Sequence, residues 1–310
     1  MDTPTTMPWW RDLARYRPLV DDWEAFIAAL ERPRGATLQV NVARTDRAAL
    51  AVLLAEDGVA AEPLAWRDGG LRLPSGVRPG LSWAYRAGLY QIQDEAAMVP
   101  VALLDPQPGE RVLDLCAAPG NKTAQIALAL GNRGTVVAND VKPGRLATVH
   151  HTIARLGLLN VSTTALDGRR FPPVAGGFDK VLVDAPCSAE GTATHGFVPA
   201  SPAGFRQWVI GVQRGLLARA AALCRPGGRI VYATCTYAPE ENEAVVDWVL
   251  RALPGLVRLV PARLAGLALS AGLTEWQGRR FAPALADTAR LWPQRAGTGG
   301  FFIAVLERTD

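Results

Sequence analysis

The sequence predicts an α/β protein: a doubly wound, mostly parallel sheet preceded by a small N-terminal α/β domain. Three observations carry this reading. From about residue 89 short apolar runs alternate with helical patterns, as in βαβ units whose strands are covered on both faces. Those runs end at Asp114, Asp140, Asp167, Asp184 and Cys235, polar groups placed where such sheets open onto a ligand crevice. Before residue 89 the texture is different, with one Arg-rich helical stretch and short strands punctuated by Pro and Gly.

The elements follow in order. Residues 1 to about 35 carry a helical pattern with Trp and Arg, DLARYRPLVDDWEAFIAAL, closed by ERPRG. TLQVNV (37–42) alternates as a strand, a helix follows across 46–57 to Gly58, a second strand is expected near 60–66, and 68–80 reads as turns. This gives a small domain over 1–88. The larger domain, 89–310, starts its strand-helix units with RVLDLCA (111–117) and KTAQIALALG. GTVVAND (134–140), VSTTALDG (161–168) and FDKVLVDAP (178–186) follow as strands. A long helix over 204–224 precedes the strand GRIVYATCT (228–236). Pro239 and the acids after it predict a helix start, and FFIAVLE (301–307) is the last strand.

Composition bounds the function. A chain of 310 residues, 49% hydrophobic, can bury one large core and a small second domain. No run reaches the roughly 18 apolar residues of a membrane span, and the first sixteen residues, MDTPTTMPWWRDLARY, carry no secretory pattern. The expected location is the cytoplasm, with no membrane association. A net charge of +4, built on 30 Arg and 3 Lys, permits a nucleic-acid partner without requiring one. Cys116, Cys187, Cys224 and Cys235 form no CxxC pair, so no zinc or other metal site is expected.

The strand ends carry the chemistry. Asp114 is followed by the turn Ala117-Ala118-Pro119-Gly120-Asn121 and a helix start at Lys122. Gly120 allows close backbone approach. Asp140 is placed for two ribose hydroxyls and Asp167 for an exocyclic adenine amine, a set that suits adenosine with a cationic amino-acid tail; solvated helix caps are the alternative. Cys187 and Cys235 end adjacent strands. A thiolate is strongly nucleophilic and activates carbon 5 of a pyrimidine by adding to carbon 6, while Asp184 at ring nitrogen 3 stabilises the charge that develops. Buried small hydrophobes are the alternative for both thiols. Cys224 reads as structural, as does the Cys116 thiol itself.

DLCAAPGNKT, DAPCS and YATCTYAPEENE, in this order, resemble the Nop/Sun family of RNA cytosine-5 methyltransferases. YQIQDEAA (90–97), RLWPQRAGTGGFFIAVLE (290–307) and TLQVNV extend the resemblance over most of the chain. It implies a class I methyltransferase, Rossmann-like fold, S-adenosyl-L-methionine as cofactor, and an rRNA or tRNA substrate. It implies a cofactor loop of Cys116, Ala117, Ala118, Pro119, Gly120, Asn121 and Lys122, with Asp140, Asp167 and Asp184 as further contacts. Cys235 then corresponds to the family's nucleophile, Cys187 to the cysteine that assists product release, and Asp184 to the base-contacting acid. Two departures stand out. Ser188-Ala189-Glu190-Gly191 replaces a Ser-Gly-x-Gly pattern, and Ala193-Thr194-His195 replaces basic residues, so the identity of the RNA is not carried over.

Two rival readings keep part of this picture: a methyltransferase acting on an amine or small molecule, and an RNA-binding or ribosome-assembly factor without turnover. The absence of an aromatic residue directly after Pro186-Cys187 counts against the first, and the full set of thiols and acids against the second. Arg11, Arg15, Arg17, Arg32 and Arg34 are candidates for RNA phosphate contacts or for a solvated helix face. His195 reads as a loop histidine or a phosphate contact. Arg290 and Gly299-Gly300 either line the cleft or pack the last strand.

Overall fold

A computed structural model describes residues 9–309; the first eight residues of the N-terminal stretch read above lie outside it. Residues Arg11–Leu19 form a 3-10 helix rather than the expected continuous α-helix, because Pro18 offers no amide hydrogen to continue it. Helix α1 (Trp23–Glu31) restarts at Asp22, whose carboxylate accepts from the amide of Ala25. The small sheet is built from β1 (Thr37–Val40), β2 (Glu62–Pro63), β3 (Gly70–Arg72) and β4 (Tyr90–Ile92), in the order β2-β3-β1-β4. Helices α2 (Arg47–Glu56) and α3 (Trp83–Arg86) lie between its strands in sequence.

Two expectations change here. The strand predicted near 60–66 shrinks to Glu62–Pro63, and the predicted turns over 68–80 contain β3, which pairs with β1 from Thr37↔Arg72 to Gln39↔Gly70. Gly70 is what hid it: a side chain there would press Leu64, so the position is glycine for packing and only looks like a turn. The sheet also passes the boundary expected at 88, since β4 pairs with β1. Its own core is Leu38, Val40, Leu50, Leu54, Leu71, Leu73, Ala84 and Tyr90. The helices before it pack elsewhere: Leu13, Tyr16, Phe26 and Leu30 are buried against Ala193, Tyr237, Ala238 and Trp292 of the larger unit.

That larger unit opens with α4 (Glu95–Leu104), capped by Asp94, and continues through β5 (Arg111–Asp114), α5 (Asn121–Ala129), β6 (Thr135–Asn139), α6 (Pro143–Leu156) and β7 (Val161–Thr164). Then come β8 (Phe178–Asp184), α7 (Phe205–Leu223), β9 (Cys224–Thr234) and α8 (Glu243–Ala252). Strands β7-β6-β5-β8-β9 are parallel, as predicted. An antiparallel wing adds β10 (Val257–Val260), β11 (Ser270–Ala271), β14 (Ala289–Leu291) and β15 (Phe301–Arg308), with β15 beside β9. A separate hairpin joins β12 (Glu275–Trp276) to β13 (Arg279–Arg280), and α9 (Pro293–Ala296) precedes β15. No described helix is long and apolar enough to cross a membrane.

Helix α8 begins at Glu243, not at Pro239. The residues between are held by their side chains instead. The buried Glu241 carboxylate accepts from the Ser188 amide and Gln213, and the Asn242 amide bonds Thr234 and the Thr236 carbonyl. These bonds compete with helical geometry and win.

Candidate active site

The loop after β5 is shaped by its packing. Gly120 has φ +105, and a Cβ there would stand 3.1 Å from the Val149 backbone, so helix α5 starts tight against α6. Asn139 ties the loops after β5 and β7 together, donating to the carbonyls of Leu115 and Leu166. A chamber of about 130 Å³ opens at these strand ends, lined by Gln93, Asp94, Ala97, Asp114, Cys116, Ala117, Pro119, Asn121, Lys122 and Asp184. It collects most of the predicted loop.

Asp114 is fully buried. Its Oδ2 accepts from Thr123 and its Oδ1 has no partner among the described residues. Burial pushes this carboxyl up to about 7. Lys122 donates to Asp184 at 2.7 Å. Burial works against the Lys122 ammonium, and the Asp184 carboxylate outweighs it, leaving the lysine above its ordinary value. The ammonium also sits over the Phe301 ring, 5.2 Å from its centroid.

The other predicted acids lie beside the chamber. Asp140 is buried, accepts from the amides of Ala118 and Lys142, and pairs with Arg145 at 3.2 Å. Asp167 is more open, and its carboxylate is held by the Arg169 guanidinium and amide, which lowers its pKa. Cys116 is a chamber-lining thiol, pushed well up by burial.

Cys187 and Cys235 meet with their sulfurs 3.5 Å apart. The hydrogen bond with Cys235, and then burial, raise the Cys187 thiol well above its ordinary value. Around them the loop after β8 is fastened to the end of β9. Ser188 Oγ lies 2.7 Å from Thr236 Oγ1, and the Gly191 amide donates to the Cys235 carbonyl at 2.8 Å. Glu190 accepts from Tyr16 at 2.5 Å, Thr236 at 2.9 Å and Arg206 at 2.6 Å. Ala189 takes φ +57, the left-handed position where a Ser-Gly-x-Gly pattern would put glycine.

Arg290 is not a cleft residue. It is 2% exposed and pairs with Glu243 at 2.5 Å beneath the antiparallel wing. Gly300 serves packing too: a Cβ there would collide with the Tyr237 ring. His195 lines a larger cavity of about 1250 Å³ between α1, the small sheet and α9. Sequence reasoning missed Gln93 and Asp94, which line both cavities, and the Lys122–Asp184 pair. The signal for Asp94 was its place as an N-cap ahead of an apolar run. None of the four cysteines is bonded to another, and the described residues hold no cluster of metal-ligating side chains.

Comparisons with known proteins agree with this geometry. The profile of the family described as 16S rRNA methyltransferase RsmB/F matches residues 101–307, and that of the RsmF/B-like ferredoxin-like domain matches 9–78. The chain is 41% identical over 292 residues to a 28S rRNA (cytosine-C(5))-methyltransferase of Mus musculus, covering 91% of this chain and 36% of the mouse protein. It thus spans about a third of that relative's length. It is 35% identical over 303 residues to the tRNA (cytosine(49)-C(5))-methyltransferase of Pyrococcus abyssi, covering 95% of this chain and 94% of that protein. The crystal structure of a methyltransferase homolog from Pyrococcus horikoshii superposes with a TM-score of 0.82 at 30% identity, over 96% of this chain and 98% of that one. With its strand-end acids, its paired thiols and a family profile matched across most of its length, the chain belongs to the RsmB/F methyltransferase family, the Nop/Sun group its motifs resemble.

Proposed function

We propose that the protein is an RNA cytosine-5 methyltransferase that uses S-adenosyl-L-methionine and Cys235 as covalent nucleophile. The observation that carries this is the Cys187–Cys235 sulfur contact of 3.5 Å at the ends of adjacent parallel strands, with the Lys122–Asp184 pair alongside. The residues fit the cofactor. Asp114 brings a buried acceptor without a partner, suited to the ammonium of an amino-acid tail. Asp140 and Asp167 stand at the next two strand ends for ribose and adenine, and the loop from Cys116 through Ala117, Ala118, Pro119, Gly120 and Asn121 to Lys122 closes the chamber.

When bound, S-adenosyl-L-methionine supplies an electrophilic methyl group; the chain's residues prepare the base. Once its thiol proton has passed to water, the Cys235 sulfur adds to carbon 6 of cytosine, and the electron pair displaced toward ring nitrogen 3 takes the proton shared between Lys122 and Asp184. Carbon 5, now nucleophilic, takes the methyl. The nitrogen 3 proton returns to the Lys122–Asp184 pair, the carbon 5 proton passes to water, and the electron pair it leaves restores the ring double bond and breaks the sulfur–carbon 6 bond. Cys187, held as a thiol beside the leaving sulfur, assists this release. The substrate is an rRNA or a tRNA, the two classes named among the relatives. The target base has to leave its stack, at a cost of a few kcal/mol where it is paired. The small sheet and the helices before it, residues 1–88 with β4, form the RNA-facing part, while 89–310 carry the chemistry. The protein acts in the cytoplasm without a metal.

The test is incubation with total RNA and methyl-labelled cofactor. The expected product is 5-methylcytosine from the wild type, with a denaturation-resistant protein–RNA adduct accumulating in Cys187→Ala. Methylation that persists undiminished in Cys235→Ala would falsify the nucleophile assignment.

A further inference from the structure

The five arginines singled out in the N-terminal stretch do not share one environment. Arg15 is paired with Glu240, and neither Arg11 nor Arg17 lines the cavity of about 1250 Å³. Arg32 and Arg34 both line the 1250 Å³ cavity, and of the two Arg34 is the half-buried one. Its guanidinium makes no hydrogen bond or ion pair with the described residues, unlike Arg72, which is paired with Glu95. The charged groups facing it are few. Glu95 is already engaged by Arg72 and Trp66, and Asp94 caps α4 through the Ala96 amide.

We propose that Arg34 anchors a backbone phosphate of the RNA strand that leads into the active site. The inference rests on the RNA methyltransferase reading above and assigns one contact within it. The segment that carries Arg34 is rigid. A Cβ on Gly35 would stand 1.6 Å from the Leu73 carbonyl oxygen, so that backbone lies directly on β3's continuation, and the Leu73 amide donates to the Ala36 carbonyl. Pro33 fixes φ on the other side. A half-buried guanidinium in no direct ion pair with the described residues is open to an anion, and burial pulls the Arg34 pKa down against the opposing pull of Asp94 and Glu95. The planar guanidinium offers a fork to phosphate oxygens.

The cavity also fits a polymer better than a small molecule. At about 1250 Å³ it exceeds the roughly 300–1,000 Å³ of small-ligand pockets. It shares Gln93 and Asp94 with the chamber that holds Lys122 and Asp184, so a strand lying in it runs next to the site. Arg34 touches none of the reacting groups. Its role is to hold the strand.

The experiment compares wild type, Arg34→Ala, Arg34→Lys and Arg17→Ala by binding of a short single-stranded RNA carrying one cytosine, over a salt series. Arg34→Ala should weaken binding about tenfold at low salt and reduce the slope of log K against log salt by about 0.7, one phosphate's share on a single strand. Arg34→Lys should restore the slope and only part of the affinity, and Arg17→Ala should leave the slope unchanged. Methylation of saturating RNA in a single turnover should keep its wild-type rate in Arg34→Ala. Equal slopes in wild type and Arg34→Ala, or the same loss in Arg17→Ala, overturn the assignment while leaving the methyltransferase reading intact. A wild type that binds this RNA yet labels no cytosine in it or in total RNA overturns the methyltransferase reading, and the inference with it.

Discussion

The two halves of the cleft are built on different terms. Around the thiols, side chains from four separated segments converge: Tyr16, the 187–191 turn, Arg206 on α7, and Thr236 with Glu241. The cofactor half holds Asp140 by main-chain amides, leaves Asp114 Oδ1 unpaired, and lets Asp167 answer to its own neighbour Arg169. The difference follows the chemistry. On the proposed mechanism, two sulfurs that meet one ring carbon in sequence need a fixed geometry before substrate arrives. A pocket for a charged ligand needs acceptors that the protein has not already saturated.

The largest expected effect falls on the thiol half. Cys235→Ala should lower product formation by roughly a thousandfold or more while leaving thermal unfolding unchanged; residual activity near wild type would erase the distinction between the halves. Next comes the support under that half. Arg290→Ala leaves Glu243 buried and unpaired, and should cost about 3–5 kcal/mol in denaturant unfolding. A loss below about 1 kcal/mol would mean the wing does not brace β9. On the proposed cofactor side, Asp140→Ala should weaken binding of S-adenosyl-L-methionine about a hundredfold by calorimetry, and Asp167→Ala about tenfold or less, because a charge-assisted contact is worth about 1.5–3 kcal/mol and Asp140 is buried where Asp167 is more open to solvent. Equal losses would show that burial does not rank the two acids.

A last test sharpens the comparison through pH. Asp114 sits at about 7 in the folded chain against an ordinary value of 3.8, so the folded state binds that proton more tightly than the unfolded one. Its contribution to stability is therefore complete below about 4 and lost as pH rises toward 7. Asp114→Asn should flatten the fall in melting temperature across that window. An unchanged profile would place the titration elsewhere.

The parallel strands and the residues at their ends were legible because apolar period and terminal acids are local features. Asp114, Asp140, Asp184 and Cys235 stand at or just past strand ends as read. What escaped is set by packing between distant segments. Nothing near Gly70 says that Leu64 needs its space, nothing near Pro239 says that Glu241 answers to Ser188, and Arg290 gives no hint of Glu243, 47 positions away. The loop acid Asp94 is an ordinary helix cap by sequence, and only the fold places it between two cavities.

The packing of the first helices has a temporal side. Phe26 rests against Trp292, and Asp21 pairs with Arg295, 274 positions further along. A ribosome makes α1 long before it makes the surface that receives it. During synthesis this helix waits with an aromatic face uncovered, and Tyr16 from the same stretch waits for Glu190, 174 positions further along. The brace on the thiol loop thus joins segments made far apart in time.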